Sequence, residues 1–216
     1  MSFGNLGVTV SVRTNSRRLP AKALLPIGGK PSCLFLLDRL RESLIYPLYV
    51  ATTNHYTDDI LVDILRQSNY NVFRGDENNV FNRLLELANA NDLDSIVRIT
   101  ADCPMLDGKF VNQLLHTSSE FIDWDLITTK GMGIPGLDIE VIRRSSMSKI
   151  VGKLNEYDQE HVTSFFYRNS ADFRIEFIGK QVISSMQESF LLDTMDDFIK
   201  INNFFNKNGV DFTFKV

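Results

Sequence analysis

The stretch Ser95-Ile96-Val97-Arg98-Ile99-Thr100-Ala101-Asp102-Cys103-Pro104 sets the reading of the whole chain. Its first six residues are rich in β-branched side chains and predict a strand, and Pro104, which has no N–H to give to a ladder, ends it. Asp102 therefore falls just past the strand's carboxyl end. Toward the N-terminus, Leu6–Ser11, Leu48–Thr52 and Asn71–Arg74 read as further strands. Helical spacing separates them. Ser32 is placed to cap a helix to about Arg41, with Leu34, Leu37 and Leu40 on one face. Thr57 is placed to cap a second, with Ile60, Leu61, Ile64 and Leu65 as its buried stripe. Val80, Phe81, Leu84, Leu85 and Ala88 mark a third. Strands alternating with helices predict βαβ units, an α/β fold with a mixed, mostly parallel sheet flanked by helices. Ligands of such sheets sit at the carboxyl ends of the strands. Three loops then share one rim: Val12–Lys22, Thr52–Tyr56 and Ala101–Asp107.

The second half is less regular. Asp125–Thr129 reads as a strand, Gly131–Gly136 as a glycine-rich turn, and Gly136–Ile142 as a strand with Asp138 and Glu140 on one face. Ser145–Lys153 and Glu160–Asn169 have helical patterns, and Asp172–Ile178 reads as a strand. Thr194 is placed to cap a closing helix that carries Phe198, Ile201 and Phe205. The whole chain, 1–216, is expected to be a single domain, with a small β-containing lobe at about 131–178.

Composition removes several classes. A net charge of −4 argues against nucleic acid as a partner. No apolar run is long enough for a membrane span, and the first residues lack the basic and apolar segments of a signal peptide. Two cysteines, Cys33 and Cys103, make no disulfide framework, and three scattered histidines make no zinc spacing. A reducing, cytoplasmic setting is the expectation, and any metal would have oxygen ligands.

The rim loop Arg13-Thr14-Asn15-Ser16-Arg17-Arg18-Leu19-Pro20-Ala21-Lys22 carries four cations in ten residues. Fixed Arg and Lys groups neutralise the charge that builds up in phosphoryl-type transfer, Arg through bidentate contacts and Lys as a point charge. The spacing is not that of a Walker A loop.

From Val12 through Lys22 and on through Leu25-Pro26-Ile27-Gly28-Gly29-Lys30-Pro31, the sequence resembles the opening signature of sugar nucleotidyltransferases. It is most similar to the spore-coat polysaccharide (SpsF-type) cytidylyltransferases, which are related to the enzymes that make CMP-Kdo and CMP-sialic acid. Their pattern is A-R-x-G-S-T-R-L-P-G-K followed by L-x-G-K-P. Asn15 and Ala21 stand where that pattern has glycine, positions at which a backbone without Cβ approaches phosphate or takes φ > 0. Arg98–Asp107 resembles R-I-T-G-D-C-P-L-I-D, and Leu192–Phe198 resembles V-D-T-P-E-D-[FY]. Val50–Thr53, Phe73–Asp76 and Val80–Arg83 resemble V-A-T-S, F-R-G-[SD] and V-L-D-R. Gly136–Val141 and Tyr157–Thr163 resemble G-L-D-V-E-V and Y-D-R-E-H-V-T. The likeness runs from about Val8 to Phe205.

The resemblance implies a Rossmann-like, GT-A-like nucleotide-diphospho-sugar transferase fold and transfer of CMP from CTP to an acidic or unusual sugar acceptor, with pyrophosphate released. It implies Arg13 and Lys22 as catalytic cations on the triphosphate, and Val12, Ser16, Arg18, Thr52, Arg74, Arg83 and Thr100 as further nucleotide contacts. Mg2+ would be held by Asp102 and Asp193, each of which also has a plain structural reading as a strand-end or helix-capping residue. Asp138, Glu140 and His161 would face the sugar, and a homodimer is expected. Two other readings share these residues. A GT-A-type glycosyltransferase would share the topology, although Asp102 is not part of an Asp-x-Asp element. A non-catalytic relative would bind nucleotide without turnover.

Overall fold

The computed structural model describes residues 3–131, 134–178 and 189–214. Strand β1 (Leu6–Ser11) lies at the centre of the sheet because Leu6, Val8 and Val10 point into one apolar layer. Its other face is small: Gly7 fits closely under Leu93 and Tyr49, and the buried Thr9 hydroxyl donates to the Val97 carbonyl at 2.9 Å. The basic loop follows, then a 3-10 turn at Lys22–Leu24 and a hairpin of β2 (Pro26–Ile27) and β3 (Lys30–Pro31). Helix α1 (Ser32–Ser43) crosses back to β4 (Leu48–Thr53). Helix α2 (Asp59–Gln67) leads to β5 (Asn71–Gly75), and α3 (Val80–Ala90) leads to β6 (Ser95–Thr100).

The pairs β1–β4, β4–β5 and β1–β6 are all parallel, so these four strands end on one rim, as the βαβ reading requires. Ser11 stands opposite Ala51 on one side and Thr100 on the other. The basic loop, the β4 loop and Asp102 consequently leave the sheet side by side.

Beyond β6, helix α4 (Gly108–Ser118) is capped by Asp107 and returns the chain to β7 (Leu126–Thr128). Strand β8 (Glu140–Arg143) inserts between β6 and β7 and runs antiparallel to both. Short helices α5 (Arg144–Ser148), α6 (Glu156–Glu160) and α7 (Ser164–Arg168) precede the edge strand β9 (Ile175–Phe177). The sheet order is β5-β4-β1-β6-β8-β7-β9. Segment 131–178, expected as a small lobe, thus supplies two strands to the main sheet. Helix α8 (Met195–Asn208) closes the described chain. One face of the sheet packs on α1, α2, α4 and α8 and the other on α3, α5 and α7, which gives three layers with the sheet in the middle. Phe198, Phe204, Phe205, Phe212 and Phe214 all pack into the first of these layers.

Several local expectations need correction. Ser32 does not cap α1. The chain enters through Pro31, and the Ser32 hydroxyl donates to the Lys22 carbonyl at 2.7 Å. Leu34 is only half-buried, and the inner face is Cys33, Leu36, Leu37 and Leu40. Thr57 does not cap α2, because a 3-10 turn at Tyr56–Asp58 comes first and the His55 ring accepts the Thr57 N–H. That turn rotates the helix, so Ile60 faces solvent and Leu61, Val62 and Leu65 face inward. The single helix expected at Glu160–Asn169 is the end of α6 and then α7. Asp158 accepts from both Ser164 and Arg168, which folds the second turn back against the first. The strand expected from Gly136 begins only at Glu140, and that expected over Asp172–Ile178 covers Ile175–Phe177. The expected glycine-rich turn includes residues 132 and 133, which lie outside the described residues.

Gly136 has φ +98°, and a Cβ on it would lie 2.5 Å from the Phe190 backbone carbon. Backbone cannot yield as a flexible side chain can. Gly136→Ala should therefore destabilise the protein by about 1–3 kcal/mol. Thermal melts should show Tm falling by about 2–4 °C for each kcal/mol. An unchanged Tm would show that the contact is not closed.

Candidate nucleotide-transfer site

The basic loop is built around Thr14. Its N–H and hydroxyl both donate to Asp58 Oδ1, at 2.8 and 2.6 Å. Its carbonyl accepts from Ser16 N and Ala21 N, at 2.9 and 3.0 Å. Ala21 takes φ 54°, a left-handed conformation that costs a residue with Cβ about 1–2 kcal/mol. Of the two positions where the resemblance expects glycine, Ala21 is the one with positive φ. Asn15 instead donates its side-chain amide to Glu77 at 3.1 Å. Val12 is buried and anchors the loop's start through its N–H to the Ala51 carbonyl.

Lys22 points across the rim into a cradle of three oxygens. Its Nζ donates to Asp102 Oδ2 at 3.0 Å, to the Leu192 carbonyl at 2.9 Å and to Asp193 Oδ1 at 3.4 Å. The other Asp193 oxygen meets Arg18 Nη1 at 2.6 Å. A backbone bond from Leu192 N to the Asp102 carbonyl, 2.8 Å, lays the two acidic segments together. The capping alternative for Asp193 is resolved by its neighbour. Thr194 caps α8 in a reciprocal box with Asp197, so the Asp193 carboxylate stays on the rim. Among the described residues no group of three or more His, Cys, Asp or Glu is placed for a metal. Two carboxylates and a carbonyl converging on one cation nonetheless suit a hard divalent ion that keeps water or phosphate oxygens in its remaining positions.

On the other side of β6 lies a cavity of about 300 Å3 lined by Thr100, Asp138, Glu140 and His161, together with Arg98 and Lys130. The antiparallel register sets Glu140 opposite Arg98, whose Nη1 donates to Glu140 Oε2 at 2.7 Å. Glu140 Oε1 accepts from Thr163 at 2.7 Å and from Tyr167 at 2.9 Å. Glu140 is therefore buried and engaged by protein groups, whereas Asp138 reaches solvent at the cavity mouth. The protein packed around Asp138, and the nearby Glu140 charge, hold its carboxyl above the ordinary value. His161 is exposed, stacked on Tyr157 with ring centroids 4.3 Å apart. Its neighbour Glu160 binds Arg13 at 2.6 Å, so the basic loop and the cavity wall are joined directly. Burial, then the Asp102 charge, raises the Cys103 thiol, which fits an inert small side chain better than a nucleophile.

The remaining expected contacts lie below the rim. Thr52 is fully buried and donates to Asp58. Arg74 holds the carbonyls of Thr53 and His55 and pairs with Asp59 at 2.7 Å. Arg83 is 2% exposed, donates to the Asp76 carbonyl, and has a lowered pKa because of burial and then the Arg13 charge. Sequence reasoning gave no role to Asp58, Arg98 or Tyr167, and placed Glu160 only within the Tyr157–Thr163 segment that the resemblance turns toward the acceptor. The one sign of Asp58 was a carboxylate five residues beyond the hydroxyl pair Thr52-Thr53.

A parallel-stranded rim with a basic loop on one side of a carboxylate pair and an open polar cavity on the other suits a nucleotidyltransferase. The chain belongs to the cytidylyltransferase family, whose model matches residues 8–205. SpsF, a spore coat polysaccharide biosynthesis protein of Bacillus subtilis, is 28% identical over 207 residues, 93% of this chain and 86% of its own. A cytidylyltransferase from Leptospira borgpetersenii is 26% identical and superposes with a TM-score of 0.90, covering 97% of this chain and 90% of its own. CMP:2-keto-3-deoxy-manno-octonic acid synthetase, solved with CTP, shares the fold at 15% identity and a TM-score of 0.70, over 94% of this chain and 99% of its own. The family match sets aside the glycosyltransferase reading. Among the described residues no helix is long and apolar enough to cross a membrane.

Asp158 fixes the α6–α7 corner beside the cavity. It binds Arg168 through both oxygens, at 2.9 and 2.6 Å, and those bonds outweigh burial to bring its pKa down to about 2. The folded-state pKa lies below the unfolded one of about 3.9. The contribution to stability is therefore complete above roughly pH 5 and is lost as pH falls through about 2. Asp158→Asn should lower Tm near neutral pH, and the gap from wild type should close in melts taken toward pH 2. A gap independent of pH would contradict the ion pair.

Proposed function

We propose that the chain transfers CMP from CTP to a hydroxyl of an acidic or otherwise unusual sugar, in the cytoplasm, for assembly of a surface polysaccharide. The observation that carries this reading is the convergence of Lys22 with Asp102 and Asp193 beside the cavity. The sugar is supported by the names of SpsF and of the octonic acid synthetase, and the cytoplasm by two buried, unbridged cysteines.

In this mechanism Arg13, Arg18 and Lys22 take the triphosphate and stabilise the pyrophosphate as it leaves. Asp102 and Asp193, with the Leu192 carbonyl at hand, would hold Mg2+, which supplies Lewis-acid polarisation of the α-phosphate when bound. Lys22 cannot serve phosphate while it fills the oxygen cradle, so the ammonium must leave the carboxylates when nucleotide enters. Arg98, Lys130, Asp138 and His161 line the acceptor's place. Arg98 and Tyr167 are held still by Glu140, which positions the wall without offering a free oxygen to the sugar. Positioning and charge stabilisation carry the rate.

A pyrophosphate-release screen of four nucleoside triphosphates against nonulosonic acids, Kdo-like sugars and other polysaccharide precursors should give turnover with CTP. Release with GTP or UTP alone would remove the cytidylyl assignment. Asp102→Asn should lower kcat by about 10²-fold or more while the fold persists. A near-normal rate would displace Asp102 from the site. Lys22→Met deletes the cation from the cradle and should tighten Mn2+ binding by the nucleotide-free protein, read by electron paramagnetic resonance. Unchanged or weaker Mn2+ binding would show that Lys22 does not compete for that position.

A further inference from the structure

We propose that Asp58 is the positioning residue of the transfer reaction, setting the aim of Lys22 through Thr14 and Ala21 without touching either substrate. This rests on the cytidylyl-transfer reading of the rim. Asp58 ends the 3-10 turn before α2 and is 1% exposed. A buried carboxylate is costly unless its lone pairs are filled. Here Oδ1 accepts from Thr14 N and Thr14 Oγ1, and Oδ2 accepts from Thr52 Oγ1, Thr53 N and Thr53 Oγ1. No salt bridge among the described residues involves Asp58, so hydrogen-bond donors are the main support of its charge. Burial opposes the charged form, but the bonds from Thr14 and Thr53 prevail and keep the carboxyl below its ordinary value.

The consequence runs along the chain. With its N–H and hydroxyl fixed by Asp58, Thr14 presents its carbonyl to Ala21 N at 3.0 Å. That bond holds Ala21 at φ 54°, a conformation that an alanine does not keep unaided. Ala21 turns the backbone into the Lys22–Leu24 turn, and Lys22 leaves it pointing at Asp102 and Asp193. Arg13, next to Thr14, is set by the same anchor. The cavity beyond β6 meets this chain of contacts at the half-buried Arg13–Glu160 bridge rather than at Asp58 itself, so its affinity for the acceptor should change far less than the affinity for CTP.

The test separates CTP from acceptor. Asp58→Asn keeps the shape but puts an NH2 where one oxygen accepted. CTP affinity, measured by calorimetry with Mg2+, should weaken about 10-fold or more, equivalent to about 1.4 kcal/mol. KM for the acceptor should stay within about twofold. Adding Ala21→Gly should recover much of the lost CTP affinity, because glycine takes the left-handed conformation without help. A merely structural role would lower both affinities together and would not respond specifically to Ala21→Gly. Should Asp58→Asn fail to fold, Thr14→Val removes the hydroxyl bond of the same link while leaving Asp58 and the Thr14 N–H in place, and should also weaken CTP alone. Unchanged CTP affinity in the variants, a parallel loss of both affinities, or no recovery with Ala21→Gly overturns the inference. Absence of CTP binding by the wild-type chain overturns the functional reading itself and this inference with it.

Discussion

The rim is organised about one ammonium group. Lys22 lies near the start of the chain, Asp102 near its middle and Asp193 near its end, yet the three meet within hydrogen-bonding distance. Two carboxylates side by side repel and carry a desolvation cost, so a cation between them is a condition for the β6 loop and the α8 entry to lie together. The Leu192–Asp102 backbone bond can form only in that arrangement. The oxygen cradle is thus satisfied from within the protein by Lys22.

Around this centre the polar groups form tiers. Arg18 and Asp193 meet at the surface, where Arg18 is largely exposed and the pair is individually weak. Arg13 and Glu160 are half-buried and link the basic loop to α6. Asp58 and Glu140 are buried, each with both oxygens engaged, and each fixes a different side of the rim. Exposure therefore falls from Arg18 through Arg13 to the two buried carboxylates.

The βαβ half was legible because its signals are local. Leu6–Ser11 and Ser95–Thr100 are bounded by their own residue types, and β1 and β6 occupy just those residues. Parallel order follows from handed crossovers, so the shared rim could be deduced without knowing a single contact. The capping errors at Ser32 and Thr57 came from turns that depend on neighbours: the β2–β3 hairpin in one case and the His55 ring in the other. The site was legible where resemblance named residues, as with Lys22, Asp102 and Asp193 on one point of the rim. It was illegible where the partner is fixed by register or by a long loop. That Glu140 faces Arg98 depends on β8 running antiparallel beside β6, and that Asp58 grips Thr14 depends on the β1 and β4 ends lying side by side. No periodicity encodes either fact.

The antiparallel insertion of β8 also divides the rim into two parts. The anchors of the basic loop's backbone come from the strands and helices before β6, its cations reach Asp102, Asp193 and Glu160 beyond it, and the cavity wall is drawn mainly from β8, α6 and α7. The two parts meet along strand β6, which pairs with β1 on one side and β8 on the other, and at the Arg13–Glu160 bridge. Substitutions that reshape the wall can accumulate without passing through the strained turn at Ala21 or the oxygen cradle. The wall and the oxygen cradle are thus built from separate side chains, and Glu160, next to the wall residue His161, is bonded to the basic loop.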